Sequence, residues 1–168
     1  MWLICTASSG NNRALAETLQ GWAQDLNVDA RLLDLTELAL PLFTPELDEE
    51  GAPEGLADVE ALFREASAFV FCAPEYNGSI PPSLTNTIAW LSTQGSNFRA
   101  LFNEKPAAIA THSGGGGQKV LVAMRLQFAH LGCNVLGREL LTHNKKALNE
   151  KSAKAVLDQL YRLDNALG

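Results

Sequence analysis

Along the chain, short continuous apolar runs alternate with longer stretches in which apolar residues recur every three or four positions. Trp2 to Cys5 is the first apolar run, and the spacing of Leu15, Leu19, Trp22 and Leu26 after it predicts an amphipathic helix. Val28 to Leu35 alternates apolar and polar positions and reads as a second strand, nearer a sheet edge. Ala57 to Ser67 has helical spacing through Val59, Leu62 and Phe63. The next run, Ala68 to Ala73, is apolar without alternation, as expected of a central strand covered on both faces. Ser83 to Leu91 is helical again, with Leu84, Ile88 and Leu91 on one face, and Ser92 to Asn103 is a polar loop.

Pro106 opens a fourth apolar run, Ala107 to Thr111, and Val120 to Leu131 carries Leu121, Met124, Phe128 and Leu131 at helical steps. Val135 to Leu141, broken by Gly137, reads as a fifth strand, and Ala147 to Leu167 as a final helix built on Ala153, Val156, Leu157, Leu160 and Leu163. Strand and helix alternate throughout with no internal sequence repeat. That order predicts an α/β fold, a parallel sheet with helices on both faces. In a doubly wound sheet of order 2-1-3-4-5, the first, third and fourth strands lie side by side, and the loops at their carboxyl ends converge on one crevice.

The pattern breaks between Thr36 and Glu60, where Pro41, Pro45 and Pro53 interrupt it and Glu46, Asp48, Glu49, Glu50, Glu54, Asp58 and Glu60 crowd one sign of charge. The segment reads as a solvated excursion, with a lid or a subunit contact as the sharper alternative. The 168 residues make a single domain, 1–168, long enough to bury about two-thirds of the unfolded surface. A net charge of -6 provides no basic field to hold a polyanion, so nucleic acid is not an expected partner. A small phosphorylated ligand remains compatible, because N–H groups at a helix N-terminus bind phosphate without Lys or Arg. Cys5, Cys72 and Cys133 are widely spaced without a Cys-x-x-Cys pair, which suits buried thiols in a reducing compartment, and a cytoplasmic location is expected. The opening run is only strand-length and lacks a basic leader, and no run approaches a membrane span; neither a signal peptide nor a membrane partner is expected.

The three converging loops have unusual composition. Thr6 to Asn12 combines hydroxyls, Gly10 and two asparagines at a helix start, a setting for phosphate on orphan N–H groups, though ordinary capping residues look the same. Cys72 to Pro82 places an aromatic ring, an amide and a glycine between prolines and suits a flat ligand. Gly114 to Gly117 is a run of glycines, each costing about 0.5–1 kcal/mol relative to alanine in regular structure, so a need for bare backbone is expected there. It lacks the spacing of a P-loop, and it does not follow the first strand as a Gly-x-Gly-x-x-Gly dinucleotide site would. No Ser-His-Asp or Cys-His arrangement can be assembled around His112, and Glu75 has no carboxylate partner. His112, His130 and His143 are too scattered to predict a metal site.

The run Pro74-Glu75-Tyr76-Asn77-Gly78-Ser79-Ile80-Pro81, followed by Leu84 and Asn86 to Trp90, resembles the signature of the NADPH-dependent FMN reductase family, which includes FMN, azo-dye, quinone and chromate reductases. Ser113 to Gly117 resembles the family's third flavin loop, and Asn12 to Ala16 the end of its phosphate loop. The resemblance covers essentially the whole chain. It implies a flavodoxin-like three-layer α/β/α sandwich with a five-stranded parallel sheet of order 2-1-3-4-5. FMN is implied as cofactor and NADPH or NADH as co-substrate. The FMN phosphate would lie on Ser8, Ser9, Gly10, Asn11 and Asn12, and the ring along Pro74, Glu75, Tyr76, Asn77 and Gly78. The pyrimidine edge would face backbone donors near Ser113, Gly114, Gly115 and Gly116, with His112 beside them.

The same resemblance implies hydride transfer from the nicotinamide to the flavin and onward to a small acceptor such as a quinone, azo compound, metal ion or free flavin. The flavin performs that chemistry, so no catalytic acid or base of the protein is expected. A homodimer or homotetramer is implied, with the helix carrying Trp90 either at the subunit contact or simply in the core. The first loop departs from the family's Gly-Ser-x-Arg-x-x-Ser-x-Asn: it is shorter and has no arginine before the asparagine. Phosphate binding then leans on hydroxyls and backbone, and the choice between NADPH and NADH stays open. Two other functions suit the fold, an FMN-holding electron carrier without nicotinamide reactivity and a binding protein without flavin. The Pro-Glu-Tyr-Asn element favours the reductase.

Overall fold

A computed structural model describes residues 1–167. The elements, in chain order, are β1 (Trp2–Thr6), α1 (Asn11–Asp25), β2 (Ala30–Asp34), α2 (Pro45–Glu50), α3 (Leu56–Glu65), β3 (Ala68–Cys72), α4 (Pro82–Ser92), β4 (Pro106–Ser113), α5 (Gln118–His130), β5 (Asn134–Val135), β6 (Leu140–His143) and α6 (Glu150–Leu167). The sheet runs β2-β1-β3-β4-β5 with β6 also on β4, and every pairing is parallel. This is the expected order.

Successive strand side chains face opposite ways, so the fully buried central strands feed two cores. Leu3, Cys5, Phe69, Phe71, Ala107 and Ile109 belong to one, with Phe63 of α3, Trp90 of α4 and Phe128 of α5. Trp2, Ile4, Ala68, Val70, Cys72 and Ala110 belong to the other, with Leu15 and Leu19 of α1 and Val156 and Leu160 of α6. Phe71 stacks on Phe128 with ring centroids 3.8 Å apart, each burial worth about 1.5–3 kcal/mol. The three cysteines are free and buried; burial pushes the Cys5 and Cys72 thiols up and Cys133 up to about 12. No helix among the described residues is long and apolar enough to cross a membrane.

Three expectations need correction. The predicted fifth strand is two short pieces, β5 and β6, with its break at Leu136 to Glu139. Arg125 fills the break: it donates to the Leu136 carbonyl at 2.8 Å and pairs with Glu139 at 3.0 Å. The fourth strand extends through His112 and Ser113, because β6 supplies pairing partners up to that point. The acidic excursion is not merely solvated. Thr44 caps α2 by accepting the Leu47 N–H, while Leu38, Leu40, Phe43 and Leu47 pack against the core between the exposed carboxylates.

Candidate functional site

The loops after β1, β3 and β4 meet at the carboxyl end of the sheet because those strands are neighbours. Hydrogen bonds then fix them to one another. The Asn12 amide binds both the N–H and the carbonyl of His112, joining the first loop to the third. The Glu75 N–H donates to Ser113 Oγ at 2.9 Å, and the Glu75 carboxylate accepts the Lys119 N–H at 3.2 Å, joining the second to the third. Ser83, at the start of α4, donates to the Ala7 carbonyl at 3.1 Å, joining the second to the first. Groups locked by such cross-links keep their geometry when a ligand arrives.

In the first loop, Thr6 Oγ1 donates to the Ser8 carbonyl at 2.9 Å. With Ala7 held by Ser83, the carbonyls of Ala7 and Ser8 are both engaged within the protein. Gly10 is the N-cap of α1, no side chain caps the helix, and no acid lies in its first turn. The N–H groups of Asn11, Asn12 and Arg13 are therefore left without helical partners, at the positive end of a long helix. Ser9, Gly10 and Asn11 are exposed and Ser8 partly so. Arg13 is turned away: it pairs with Glu37 at 2.7 Å, Asp34 at 3.1 Å and Glu17 at 3.2 Å. Glu37 is the main cause of its raised pKa.

The second loop is a tight hairpin. Tyr76 and Ser79 exchange backbone hydrogen bonds at 3.1 and 3.0 Å, with Asn77 at φ 50 and Gly78 at φ 77 between them. Two positive-φ residues in a two-residue connection make a type I′ turn, which Asn-Gly favours. Tyr76, 49% exposed, is held at its edge. Lys119 lies against the tip, its Cδ 3.3 Å from where a Gly78 Cβ would be.

In the third loop, Gly114 and Gly115 are exposed with open space above their backbone, whereas Gly117 has φ 77 and meets Thr111 and Ser113. Bare backbone is thus required at Gly117 for packing and available at Gly114 and Gly115 for a ligand. His112 turns its ring toward β6, with Nδ1 3.1 Å from Thr142 Oγ1 and Nε2 3.4 Å from Asn144 Oδ1. Thr142 Oγ1 also donates to the Thr111 carbonyl at 2.9 Å, so it accepts from His112 Nδ1–H.

The structure brings all the sequence-predicted residues to one end of the sheet, in differing roles. Ser9, Gly10, Asn11, Tyr76, Asn77, Gly114, Gly115 and Gly116 are exposed, and Ser8, Glu75, Gly78 and His112 partly so. Asn12, Pro74 and Ser113 are buried and support the loops from behind. Ser83, Lys119 and Thr142 were not anticipated. Only Ser83, a hydroxyl directly after Pro81-Pro82, carried a local signal, that of a helix start. A groove between α1 and α6, lined by Trp22, Leu26, Lys154 and Leu157, lies on the helical flank away from the loops.

Residues 3–147 match the NADPH-dependent FMN reductase family. The chain belongs to that family. It is a family of oxidoreductases that use FMN and NADPH. The chain is 27% identical over 142 residues to an NADPH azoreductase of Bacillus sp. (strain OY1-2), covering 83% of this chain and 67% of that protein. It is 36% identical over 105 residues to a quinone reductase of Escherichia coli (strain K12), covering 59% of this chain and 53% of the relative. The chain thus spans about half the length of that reductase. Among solved structures it resembles FerB, a flavoenzyme NAD(P)H:(acceptor) oxidoreductase from Paracoccus denitrificans. The TM-score is 0.75 at 20% identity, covering 99% of this chain and 96% of FerB. At that identity the likeness is one of fold, and an archaeal flavodoxin shares it with a TM-score of 0.63.

The site fits the family's cofactor. An uncapped helix N-terminus suits a phosphate, and exposed glycine backbone facing an aromatic-edged hairpin suits a flat ring.

Proposed function

We propose that the chain is an FMN-dependent NAD(P)H oxidoreductase, a single FMN-binding domain over 1–168, that reduces a small acceptor: a quinone, azo compound, metal ion or free flavin. The observation that supports it most is the set of three cross-linked loops, which pairs an uncapped anion site with an open glycine shelf. When bound, FMN supplies the chemistry of accepting hydride from NAD(P)H and delivering its electrons to the acceptor.

The protein's part is to bind and orient. Ser8 to Asn12 would hold the phosphate with N–H groups and hydroxyls. Tyr76, Asn77 and Gly78 would form one wall of the ring site. Backbone N–H groups of Gly114 to Gly116 would stabilise negative charge at the ring's pyrimidine edge. The three free cysteines are buried, which suits a cytoplasmic setting.

Two copies would meet through α5 rather than α4. Trp90 is only 1% exposed, donates to the Pro41 carbonyl at 2.8 Å and packs edge-on against Phe43. Val122 and Leu126, 56% and 69% exposed one turn apart, leave α5 with an apolar strip.

Anaerobic titration of the FMN-loaded protein with NADPH and with NADH tests the reading. Bleaching of the flavin absorbance by either supports it. A protein that binds FMN and is bleached by dithionite but by neither nicotinamide is an electron carrier instead.

A further inference from the structure

NADPH and NADH differ by one phosphate on the adenosine ribose, and charge is unevenly spread around the carboxyl end of the sheet. On the β2 side, the one arginine of α1 is engaged by Asp34 and Glu37, and α2 beyond adds Glu46, Asp48, Glu49 and Glu50. On the other side, β6 places Thr142 beside His112 and His143 beside Ser113, next to the glycine loop. The chain then reverses. The His143 N–H donates to the Lys146 carbonyl at 3.0 Å, the Lys146 N–H returns a bond to the His143 carbonyl at 2.8 Å, and the Lys145 N–H donates to His143 Nδ1 at 3.2 Å.

This turn presents Lys145 and Lys146, both exposed, on a fixed backbone. Among the described residues neither pairs with a carboxylate. Three acids around this turn are already engaged: Glu75 by the α5 N-terminus, Glu139 by Arg125 and Glu150 by Lys154. A chain of net charge -6 thus presents two unpaired ammonium groups on the turn that follows the pairing of His143 with Ser113.

We propose that Lys145 and Lys146 recognise the 2′-phosphate of NADPH and give the chain a preference for NADPH over NADH. The proposal rests on the reductase reading. A phosphate monoester carries about -1.5 to -2 charges at neutral pH, where NADH offers only a hydroxyl. Paired lysines bind such a group as point charges, and the acidic β2 side repels it toward the β6 edge. An acidic acceptor has the same chemistry, so the test must separate the two.

The test is steady-state turnover of the holoprotein and of the Lys145→Gln/Lys146→Gln variant, with menadione, an uncharged quinone, as acceptor. The KM for NADPH is expected to rise about tenfold, with kcat and the KM for NADH unchanged. The Lys145→Arg/Lys146→Arg variant keeps the charge and should keep the preference. No change with NADPH, or an equal change with both nucleotides, overturns the proposal. So does a KM shift confined to a sulfonated azo acceptor at saturating NADPH, which would assign the lysines to the acceptor. If neither nucleotide reduces the flavin of the parent protein, the reductase reading itself fails and this proposal with it.

Discussion

The Asn12 amide brackets the His112 peptide, with Nδ2 donating to its carbonyl at 2.9 Å and Oδ1 accepting its N–H at 2.8 Å. One buried side chain thus sets the distance between the start of α1 and the end of β4, across the intervening β3. Asn12→Ala leaves a donor and an acceptor unpaired and should lower stability by about 1–3 kcal/mol. FMN affinity should fall too, since the loops after β1 and β4 lose their fixed spacing. Urea unfolding with FMN titration checks both effects, and a variant unchanged in both would show that the bracket is dispensable.

The glycine run holds one position fixed by packing, Gly117, and two with open space above the backbone, Gly114 and Gly115. Gly117→Ala places a Cβ 2.9 Å from Thr111 Cγ2 at φ 77, and should cost about 1–3 kcal/mol. Gly115→Ala meets nothing within 4 Å, so its unfolding midpoint should hold while FMN binding weakens. Equal midpoints for the two variants would contradict this division.

Tyr76 is half exposed at the edge of the hairpin. Tyr76→Ala should shift stability by no more than about 0.5 kcal/mol, while weakening FMN retention or turnover. Unchanged flavin affinity together with unchanged NAD(P)H oxidation would remove the hairpin from the site.

Lys105 donates to the Phe63 and Arg64 carbonyls at the end of α3, at 2.7 and 3.3 Å. Burial, with a smaller effect from Arg64, lowers its pKa from 10.5 to about 8. Its folded pKa is below its unfolded one, so between those values the unfolded chain binds more protons and stability rises with pH. Lys105→Met should lack that rise. Urea midpoints measured below and above pH 8 for parent and variant give the comparison, and parallel curves would count against the shift.

Leu126→Glu puts a charge on the apolar strip of α5 without touching the core. The parent should run as a dimer or larger in light scattering and the variant as a monomer with native circular dichroism. A monomeric parent, or an unchanged assembly in the variant, would reject α5 as the contact.

Much of the fold was legible because it is encoded over short distances. Apolar runs such as Ala68 to Cys72 and spacings such as Leu121, Met124 and Phe128 carry their own periodicity, and strand–helix alternation restricts topology. The Asn77-Gly78 hairpin is also set locally, since the turn's φ values belong to those two residues, although from the sequence the stretch reads only as a setting for a flat ligand. Tertiary structure decided what depends on partners distant in sequence. The inward commitment of Asn12 and the burial of Trp90 under Pro41 and Phe43 join segments far apart in the chain, and Arg125 reaches across from α5 to the break between β5 and β6. A polar or aromatic residue does not reveal locally whether its bonding groups are already satisfied. That is why the loops could be named from the sequence, while the division between residues left exposed at the loop tips and residues that hold the loops together required the fold.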